Sequence, residues 1–197
     1  LPKEDGAYRY TMDQVWAEAA TAEGALTREF HIVGGLDMKA GLAYYSEMFR
    51  GLKSRYPHVH IKALTAVEIA HIARIDKMSI EDVLIALREA GLDTLPGGGA
   101  EVFGKGVRMT IADKKLSGEE YVNVHREAHG LGIRSNCTML YGHVESFEDR
   151  INHLAMLREL QDETNGFLAY IPLAYHPDNN ELGETLHMQG TATSGFD

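Results

Sequence analysis

Three consecutive glycines followed by a carboxylate form the segment of this sequence that is best suited to chemistry. Gly97, Gly98 and Gly99 lie between Pro96 and Glu101. Glycine has no Cβ atom, so its backbone can adopt positive φ angles and lie close against a bound molecule. No Gly-Lys-Ser/Thr and no spaced Gly-x-Gly-x-x-Gly follows, which argues against a nucleotide phosphate loop. Packing alone gives little reason for three successive glycines, so the segment is either a flexible loop or a ligand-binding loop.

A histidine and a glutamate two residues apart form a second candidate site. His143 and Glu145 could together move a proton near neutral pH, because an imidazole titrates in that range. The alternative is a loop that enters a helix, in which Glu145 favours the positive end of the helix dipole. The sequence leaves both alternatives open.

Two polar side chains lie within predicted strands. Lys62 alternates with Ile61 and Ala63 and should therefore point to the concave side of the sheet. A lysine there needs a partner, as a Schiff-base amine, an anion clamp or half of an ion pair, and we favour the clamp or the ion pair. Asn136 shares one face of its strand with Thr138. Such inward polar groups either satisfy each other or bind a ligand, and we favour binding.

Three further residues have two interpretations each. Arg108 could clamp a carboxylate through two parallel hydrogen bonds or be a surface charge. Glu68 is the third residue of a capping box that starts at Thr65, and it also follows a strand, where a ligand group would lie. Cys137 has no visible base beside it and is predicted to be a small buried hydrophobic residue rather than a nucleophile.

The histidine pairs of the sequence give little support to a metal site. His58 and His60 lie at the start of a strand, whereas metal-binding pairs of barrel hydrolases lie at the end of one. His125 and His129 share a helix face, but the order His-Arg-Glu-Ala-His is not that of a zinc protease. Packing or solvent exposure is the favoured interpretation of the second pair.

Predicted strands and helices alternate along the chain. The strands are predicted at 30–33, 59–64, 92–95, 133–140 and 167–173. The helices are predicted at 11–24, 38–55, 65–75, 79–89, 117–130 and 146–164, and several begin with capping-box residues. This alternation predicts an α/β fold with a parallel sheet. Five units are too few for an eightfold barrel of ~250 residues, which leaves a partial barrel or an open sheet.

The candidate residues recur where the predicted strands end. The Gly34-Gly35 pair, Glu68, residues 97–101, and residues 141–145 each follow the carboxyl end of a strand. Ligands of parallel α/β folds bind at these ends. The sequence therefore predicts that these loops converge on a common binding mouth, which favours the ligand-binding interpretation of the glycines.

Composition narrows the range of partners and compartments. The 197 residues carry a net charge of −10, which disfavours nucleic acid or an anionic membrane as a broad-surface partner. The single cysteine excludes a disulfide framework and an all-cysteine metal site within this sequence. No apolar run approaches the ~18 residues of a membrane span, and no signal peptide is visible. We predict a cytoplasmic location and no membrane partner.

Six blocks of sequence carry a specific resemblance. They are residues 31–36 (HIVGGL), 60–69 (HIKALTAVEI), 91–101 (GLDTLPGGGAE), 139–145 (MLYGHVE), 157–164 (LRELQDET) and 167–173 (FLAYIPL). Together they resemble the radical S-adenosylmethionine enzymes of the futalosine route to menaquinone, and among these the aminofutalosine synthases most. The cyclic dehypoxanthinyl futalosine synthases and the deazaflavin synthase subunits share the glycine block but match residues 60–69 less well.

The resemblance implies a cofactor pair and a reaction. A 4Fe-4S cluster would be held by a Cys-x-x-x-Cys-x-x-Cys loop after the first strand, with an external electron donor as its partner. Reductive cleavage of S-adenosylmethionine on the cluster gives a 5′-deoxyadenosyl radical. In the aminofutalosine synthases this radical adds to 3-[(1-carboxyvinyl)oxy]benzoate (enolpyruvyl benzoate), and rearrangement and decarboxylation give aminofutalosine. The sequence does not specify an oligomeric state, and a homo-oligomer remains open.

The resemblance also assigns roles by position to the cofactor-binding candidates. Gly34 and Gly35 resemble the glycine pair whose backbone carbonyls accept the methionine amino group. Glu68 would bind the ribose or the amine of S-adenosylmethionine. Gly97, Gly98, Gly99 and Glu101 would bring backbone to the nucleoside or the substrate.

The remaining candidates are assigned to the organic substrate and to catalysis. Arg108 or Lys62 would hold a substrate carboxylate. His143, Glu145 and Asn136 would line the substrate pocket. Two other hypotheses remain open, namely a Schiff-base aldolase that uses Lys62 and a cluster-free homologue that only binds nucleosides.

One departure from the family pattern is large. The cluster loop is absent, and Cys137 lies where the family is expected to have alanine, so it cannot replace the loop. We therefore predict a radical S-adenosylmethionine core that lacks its first strand and cluster loop and is a fragment of a longer chain. Residues 1–177 would form this partial (β/α) barrel and residues 178–197 a poorly ordered tail. The segment alone should hold no cluster and have no activity, and iron with acid-labile sulfide in the purified protein would contradict this.

Overall fold

The computed structural model describes residues 8–22, 24, 26–112 and 116–185. Its strands are β1 (Glu29–Ile32), β2 (His60–Ala63), β3 (Thr94–Leu95), β4 (Arg134–Tyr141) and β5 (Phe167–Ala174). Its helices are α1 (Met12–Thr21), α2 (Leu42–Arg55), α3 (Ala66–Asp76), α4 (Ile80–Ala90), α5 (Lys105–Ile111), α6 (Gly118–Gly130), α7 (Phe147–Thr164) and α8 (Glu181–Thr185). The last part of the predicted tail, 186–197, lies outside the described residues.

The strands form one parallel sheet in the order β1-β2-β3-β4-β5. Sequential strands are neighbours, and helices connect them, as in part of a (β/α) barrel. The predicted α/β fold with a partial barrel is confirmed. Because all strands run in the same direction, their carboxyl ends lie along one side of the sheet. We name this side the carboxyl edge, and it is formed by the residues that follow Ile32, Ala63, Leu95, Tyr141 and Ala174.

The hydrophobic core lies between the sheet and its helices. Ile61 and Ala63 of β2 face this core and are almost completely buried, as the alternation of the strand predicted. In α4, Val83, Leu84 and Leu87 are completely buried on one helix face. Each such aliphatic side chain contributes roughly 1.5–3 kcal/mol through burial, so this packing holds the sheet and the helices in a fixed relation.

Three local features differ from the sequence prediction. Helix α2 begins later than predicted, because Gly41 is its N-cap and Asp76 Oδ2 accepts the Leu42 N–H at 2.6 Å. Helix α5 was missed, since its seven residues include Gly106 and show no clear periodicity, and its formation relies on burial of Val107. Helix α8 lies within the segment for which no regular structure was predicted.

A chain of hydrogen bonds ties α6, β4 and α7 together inside the protein. Thr164 Oγ1 donates its single proton to the Leu160 carbonyl, so it must accept a hydrogen bond from His129 Nδ1 at 2.7 Å. His129 Nε2 therefore accepts from Ser135 Oγ, which in turn accepts from His125 Nδ1 at 2.8 Å. Both imidazoles are neutral in this arrangement. His125 is completely buried, and its Nε2 has no partner among the described residues.

The neutral histidine network should make the protein sensitive to acid. Burial lowers the pKa of His125 to about 3, whereas the unfolded chain takes up this proton near pH ~6.5. Between these values only the unfolded state is protonated, so stability falls as the pH falls below about 6.5. Replacing His125 by leucine should reduce the dependence of the unfolding free energy on pH by about 1.4 kcal/mol per pH unit. Urea unfolding at several values between about pH 6 and pH 4 measures this slope.

A matched control is replacement of the exposed His58 by leucine, which lies outside the network and should leave the slope unchanged. If the unfolding free energies of the protein and of its His125→Leu variant depended equally on pH, the buried neutral imidazole would be contradicted.

Candidate active site

Loops that follow three strands meet at the carboxyl edge and contact β4. Glu68, at the start of α3, accepts the Gly34 N–H at 2.7 Å and so joins the loops after β1 and β2. The glycine loop (residues 97–101) follows β3, and a Cβ on its second glycine would lie 3.2 Å from Thr65 Cγ2. Thr138 of β4 donates to the first carbonyl of the glycine loop at 2.9 Å. The loops after β1, β2 and β3 therefore form one continuous set of contacts with β4. Convergence of residues 141–145 on the same mouth stays a prediction.

Glu68 has the structural role that its capping-box position predicted. Its Oε2 accepts from both the N–H and the hydroxyl of Thr65, at 2.7 and 2.8 Å, and its Oε1 accepts from Gly34. The residue is only 4% exposed. Burial raises the pKa of Glu68, although the hydrogen bonds from Thr65 and Gly34 partly offset this. Glu68 thus fixes the loop after β1, while its contact with a cofactor stays a prediction.

The two glycines after β1 differ in their surroundings. A Cβ on Gly34 would lie 2.8 Å from Tyr45 Oη and 3.3 Å from Glu68 Oε1, so close packing favours glycine there. A Cβ on Gly35 would meet nothing within 4 Å. Gly35 therefore presents accessible backbone next to the fixed position of Gly34.

Packing explains most of the triple glycine. The expectation that packing gives little reason for three successive glycines is therefore wrong. Gly97 has a φ of +83°, and a Cβ on it would lie 2.2 Å from the Asn136 carbonyl oxygen. Gly99 has a φ of +87°, and a Cβ on it would lie 2.6 Å from Val67 Cγ2. Both positions combine the left-handed backbone region with a close approach to another element, so other residues would strain the loop.

The first and last carbonyl groups of the glycine loop accept hydrogen bonds from the protein. Gly97 O accepts from Tyr121 Oη at 2.6 Å and from Thr138 Oγ1 at 2.9 Å. Glu101 O accepts from the Leu140 N–H at 3.0 Å. Because these bonds come from α6 and β4, the loop is fixed on its inner side and is not the flexible loop of the alternative interpretation.

Arg108 is buried, and the surface-charge interpretation is wrong. Its Nη1 donates to Ala100 O at 2.5 Å, and its Nη2 donates to Leu116 O. Burial lowers the pKa of the guanidinium, although the nearby carboxylate of Glu101 opposes this. The guanidinium therefore supports the glycine loop from behind. A direct bond to a substrate carboxylate stays a prediction.

His143 and Glu145 meet at 3.1 Å, but both side chains are completely buried. Glu145 accepts from the N–H groups of Gly142 and His143 and from the Arg150 guanidinium. His143 Nδ1 accepts the Val144 N–H, and its Nε2 lies 2.9 Å from the Leu140 carbonyl. Burial alone would raise the pKa of Glu145, but the backbone donors of this loop outweigh it and lower the pKa. This geometry favours the helix-entry interpretation, and proton transfer stays a prediction.

Lys62 lies on the concave face of the sheet and forms an ion pair. Its Nζ is 3.0 Å from Glu29 Oε2 on the neighbouring strand, as the ion-pair interpretation predicted. His60, on the same face, is bonded through Nε2 to Thr94 Oγ1 at 2.7 Å. A lysine amine that is paired with a carboxylate is less available as a nucleophile, which counts against the Schiff-base hypothesis.

Asn136 and Thr138 project from one face of β4, and Ser135 and Cys137 from the other. Ser135 contacts the α6 histidines on the outer face, and the pairing of β4 with β5 has a register irregularity between Ser135 and Cys137. The substrate-pocket role of Asn136 stays a prediction. Burial raises the pKa of Cys137 to about 12, as expected for the buried, unreactive thiol that was predicted.

The sequence interpretation missed two residues that fix the site. Tyr121 bonds the glycine loop, and His153 accepts the Phe103 N–H and lies 2.9 Å from the Thr138 carbonyl. A signal existed for both. Tyr121 lies four residues before the buried His125, and His153 heads a buried stripe on α7, so each belongs to a helix face that packs on the sheet.

The residues of this chain do not fit an iron–sulfur cluster. No three His, Cys, Asp or Glu side chains in the described ranges are grouped so that they could hold a metal ion. The thiol of Cys137 is buried inside β4 with a raised pKa. An open groove of about 870 Å³ instead runs along the outer side of β1, between α1 and α2, and ends at Gly34 and Gly35.

Comparison with known proteins agrees with the sequence motifs. The aminodeoxyfutalosine synthase of Thermus thermophilus is 46% identical over 196 residues, which are 98% of this chain and 52% of that protein. The enzyme of the same name from Streptomyces coelicolor is 44% identical over 90% of this chain and 46% of its own. This chain is a relative of the aminodeoxyfutalosine synthases. It spans about half the length of the curated relatives that it matches.

A second group and one solved structure are more distant. The 5-amino-6-(D-ribitylamino)uracil–L-tyrosine 4-hydroxyphenyl transferase 1 of Methanosarcina acetivorans is 37% identical over 95% of this chain and 50% of its own. The crystal structure of methylornithine synthase superimposes with a TM-score of 0.67 at 15% identity, over 98% of this chain and 69% of that one, which supports the fold. No family model matches the chain. The described residues include no helix that is long and apolar enough to cross a bilayer.

Gly97 should tolerate no side chain, because of its φ angle and its distance from β4. Replacing Gly97 by alanine should lower the free energy of unfolding by at least about 2 kcal/mol, through left-handed strain and overlap with Asn136 O. Urea unfolding measures the change. The control is Gly106→Ala in the exposed part of α5, where a Cβ meets nothing within 4 Å and should stabilise the protein slightly. Equal effects of the two substitutions would contradict the close approach.

Proposed function

We propose that the protein to which this chain belongs is an aminodeoxyfutalosine synthase. The main observation in support of this proposal is the 46% sequence identity to the Thermus enzyme over 98% of this chain. The loops that the resemblance assigns to the cofactor and the substrate also share the carboxyl edge, where parallel α/β enzymes bind ligands. The proposed reaction joins the 5′-deoxyadenosyl group of S-adenosylmethionine to enolpyruvyl benzoate, with rearrangement and decarboxylation. A cytoplasmic location is part of this proposal.

The cluster belongs to the whole protein rather than to the residues described here. The single cysteine does not fit as a ligand, so we derive no role for this chain in holding the cluster. The groove beside β1 supports the proposal that a preceding strand pairs with the open side of β1 and brings the cluster loop to Gly34 and Gly35. An external electron donor would complete the system.

The residues of this chain would bind and orient the two substrates. Gly34 donates to Glu68 and packs close to Tyr45 Oη, so the backbone after β1 would be preorganised to accept hydrogen bonds from the amino group of S-adenosylmethionine. The glycine loop, fixed by Tyr121 and Arg108, would place backbone against the nucleoside or the substrate. In this account the ordered loops, rather than a side chain that transfers a proton, are the contribution of this chain.

A second candidate function is the transfer of a 4-hydroxyphenyl group from tyrosine to 5-amino-6-(D-ribitylamino)uracil. It is favoured by the 37% identity over 95% of this chain to the Methanosarcina enzyme. The sequence identity to the aminodeoxyfutalosine synthases is higher, so the 4-hydroxyphenyl transfer is the second candidate. A cluster-free protein that only binds nucleosides would bind S-adenosylmethionine without turnover.

The deciding experiment is an anaerobic assay of the whole protein with a reconstituted cluster, S-adenosylmethionine and a reductant. With enolpyruvyl benzoate it should form aminofutalosine, detected by mass spectrometry. Parallel reactions contain dehypoxanthinyl futalosine, or tyrosine with 5-amino-6-(D-ribitylamino)uracil. Turnover in either of these alone would contradict the proposal.

Glu68 provides a variant that tests the role of the loop after β1. Replacing Glu68 by alanine removes the acceptor for Gly34 and Thr65 and should lower the unfolding free energy by about 2 kcal/mol. In the whole protein it should also raise the Kd for S-adenosylmethionine about tenfold, because the loop is no longer preorganised. Calorimetry measures the Kd, and Glu47→Ala on the exposed face of α2 is the control. Unchanged S-adenosylmethionine binding by a folded Glu68→Ala variant would exclude this role.

A further inference from the structure

Helix α7 carries an apolar stripe that is exposed to solvent. Phe147, Ile151 and Leu154 are 75%, 64% and 41% exposed. With 3.6 residues per turn these three side chains lie within about 60° of one another around the helix, so they form one stripe. The side of α7 that faces the core, which includes Leu157 and Leu160, is a different one. A surface helix of a soluble protein usually has a single apolar stripe, so α7 has one more than its contacts within the described residues explain.

The exposed stripe lies next to the open edge of the sheet. Glu163 marks the side of α7 that faces α6, since its carboxylate pairs with the Arg126 guanidinium at 2.8 Å. The stripe lies roughly 120–180° around the helix from Glu163 and therefore faces away from α6. On that side the sheet of the described residues ends, because β5 has β4 as its only neighbour. Arg150 connects the stripe to β5, since its guanidinium carbon lies 5.2 Å from the Phe147 ring centroid and its charge acts on Tyr170.

Strand β5 has the composition of a strand that is covered on both faces. It contains no charged and no amide side chain, as is typical of parallel strands with both faces covered. Tyr170 and Ile171 are adjacent and so project to opposite faces, yet they are 39% and 36% exposed. Both α7 and β5 thus lack a covering element at the same edge. We name the exposed apolar residues on this side the edge surface, which consists of Phe147, Ile151, Leu154, Leu168 and Tyr170.

Length and charge indicate what covers the edge surface. The curated relatives are about twice as long as this chain, so a whole protein of their length has enough residues outside this chain to form a covering layer. Residues 186–197 carry only three large apolar side chains, Leu186, Met188 and Phe196, and match the surface poorly. A second copy is disfavoured by charge, because α7 has five acidic and two basic side chains and a symmetric contact would bring two such helices together.

We propose that the edge surface is buried by an apolar segment of the whole protein that lies outside this chain. This segment packs on the exposed stripe of α7 and on β5, and it extends the hydrophobic core past the last described strand. Apolar side chains that are covered in this way stabilise the whole protein but not this chain alone. The inference depends on the length of the whole protein and not on the reaction that we assign to it, so either can fail without the other.

Hydroxyl-radical footprinting with mass spectrometry tests the proposal without any variant. In the 197-residue chain the exposed rings of Phe147 and Tyr170 should be oxidised readily. In the whole protein the oxidation of both rings should fall several-fold, because the covering segment excludes solvent. Phe49 and Tyr121 are completely buried and should be protected in both proteins, which makes them the controls. Equal oxidation of Phe147 in the two proteins would overturn the proposal.

The Ile151→Glu variant gives an independent test. In the 197-residue chain this side chain is largely exposed, so the midpoint of thermal unfolding should not change. In the whole protein the carboxylate would be buried against apolar groups, and the midpoint should fall by roughly 5 °C or more. Asn152→Glu adds the same charge to an exposed position of α7 outside the stripe and should leave both midpoints unchanged. Equal effects of the two substitutions in the whole protein would contradict burial of the stripe.

Sedimentation equilibrium distinguishes a segment of the same protein from a second copy. The whole protein should keep its oligomeric state in the Ile151→Glu variant, because the covering segment belongs to the same molecule. If an oligomer of the whole protein dissociates in this variant, a second copy covers the edge surface and the proposed occupant is wrong. Protection of Phe147 in the 197-residue chain itself, together with self-association of that chain, would overturn the proposed occupant in the same way.

Discussion

The contact between Gly97 and β4 is the constraint on which the site depends. With no room for a Cβ, the backbone of Gly97 lies directly on the Asn136 carbonyl, and its own carbonyl accepts from Tyr121 and Thr138. This contact fixes the position of the glycine loop at the carboxyl edge. The glycines are needed for the close packing of this loop. Packing does not exclude ligand binding by the same loop, so the two interpretations are compatible.

Order at the carboxyl edge comes from side chains that the sequence suggests for catalysis or cofactor binding. Glu68, Arg108 and Glu145 are all buried or enclosed, and each binds backbone groups of a loop. A carboxylate or guanidinium that satisfies backbone groups stabilises one loop conformation without contacting a ligand. Ligand binding would then fall to other groups along the carboxyl edge, such as the accessible backbone at Gly35.

The fold could be predicted from the sequence because alternating strands and capped helices are local patterns. The apolar Ile61 and Ala63 mark the buried face of β2, and Thr65 with Glu68 marks the start of α3. The site was harder to predict, since its contacts join residues distant in sequence. The burial of Arg108 and the enclosure of His143 depend on the path of the loops in space. No spacing rule encodes that path, so the same residues were candidates for several roles.

The central claim is that the loops after β1, β2 and β3 form one preorganised mouth for an adenosine-bearing cofactor. A crystal structure of the whole protein with S-adenosylmethionine tests it most directly. The account predicts that the ligand contacts the backbone at Gly34–Gly35 and reaches the glycine loop, with the N–H of Gly34 still bonded to Glu68. A cofactor bound away from the carboxyl edge, with these loops making no contact to it, would contradict the account.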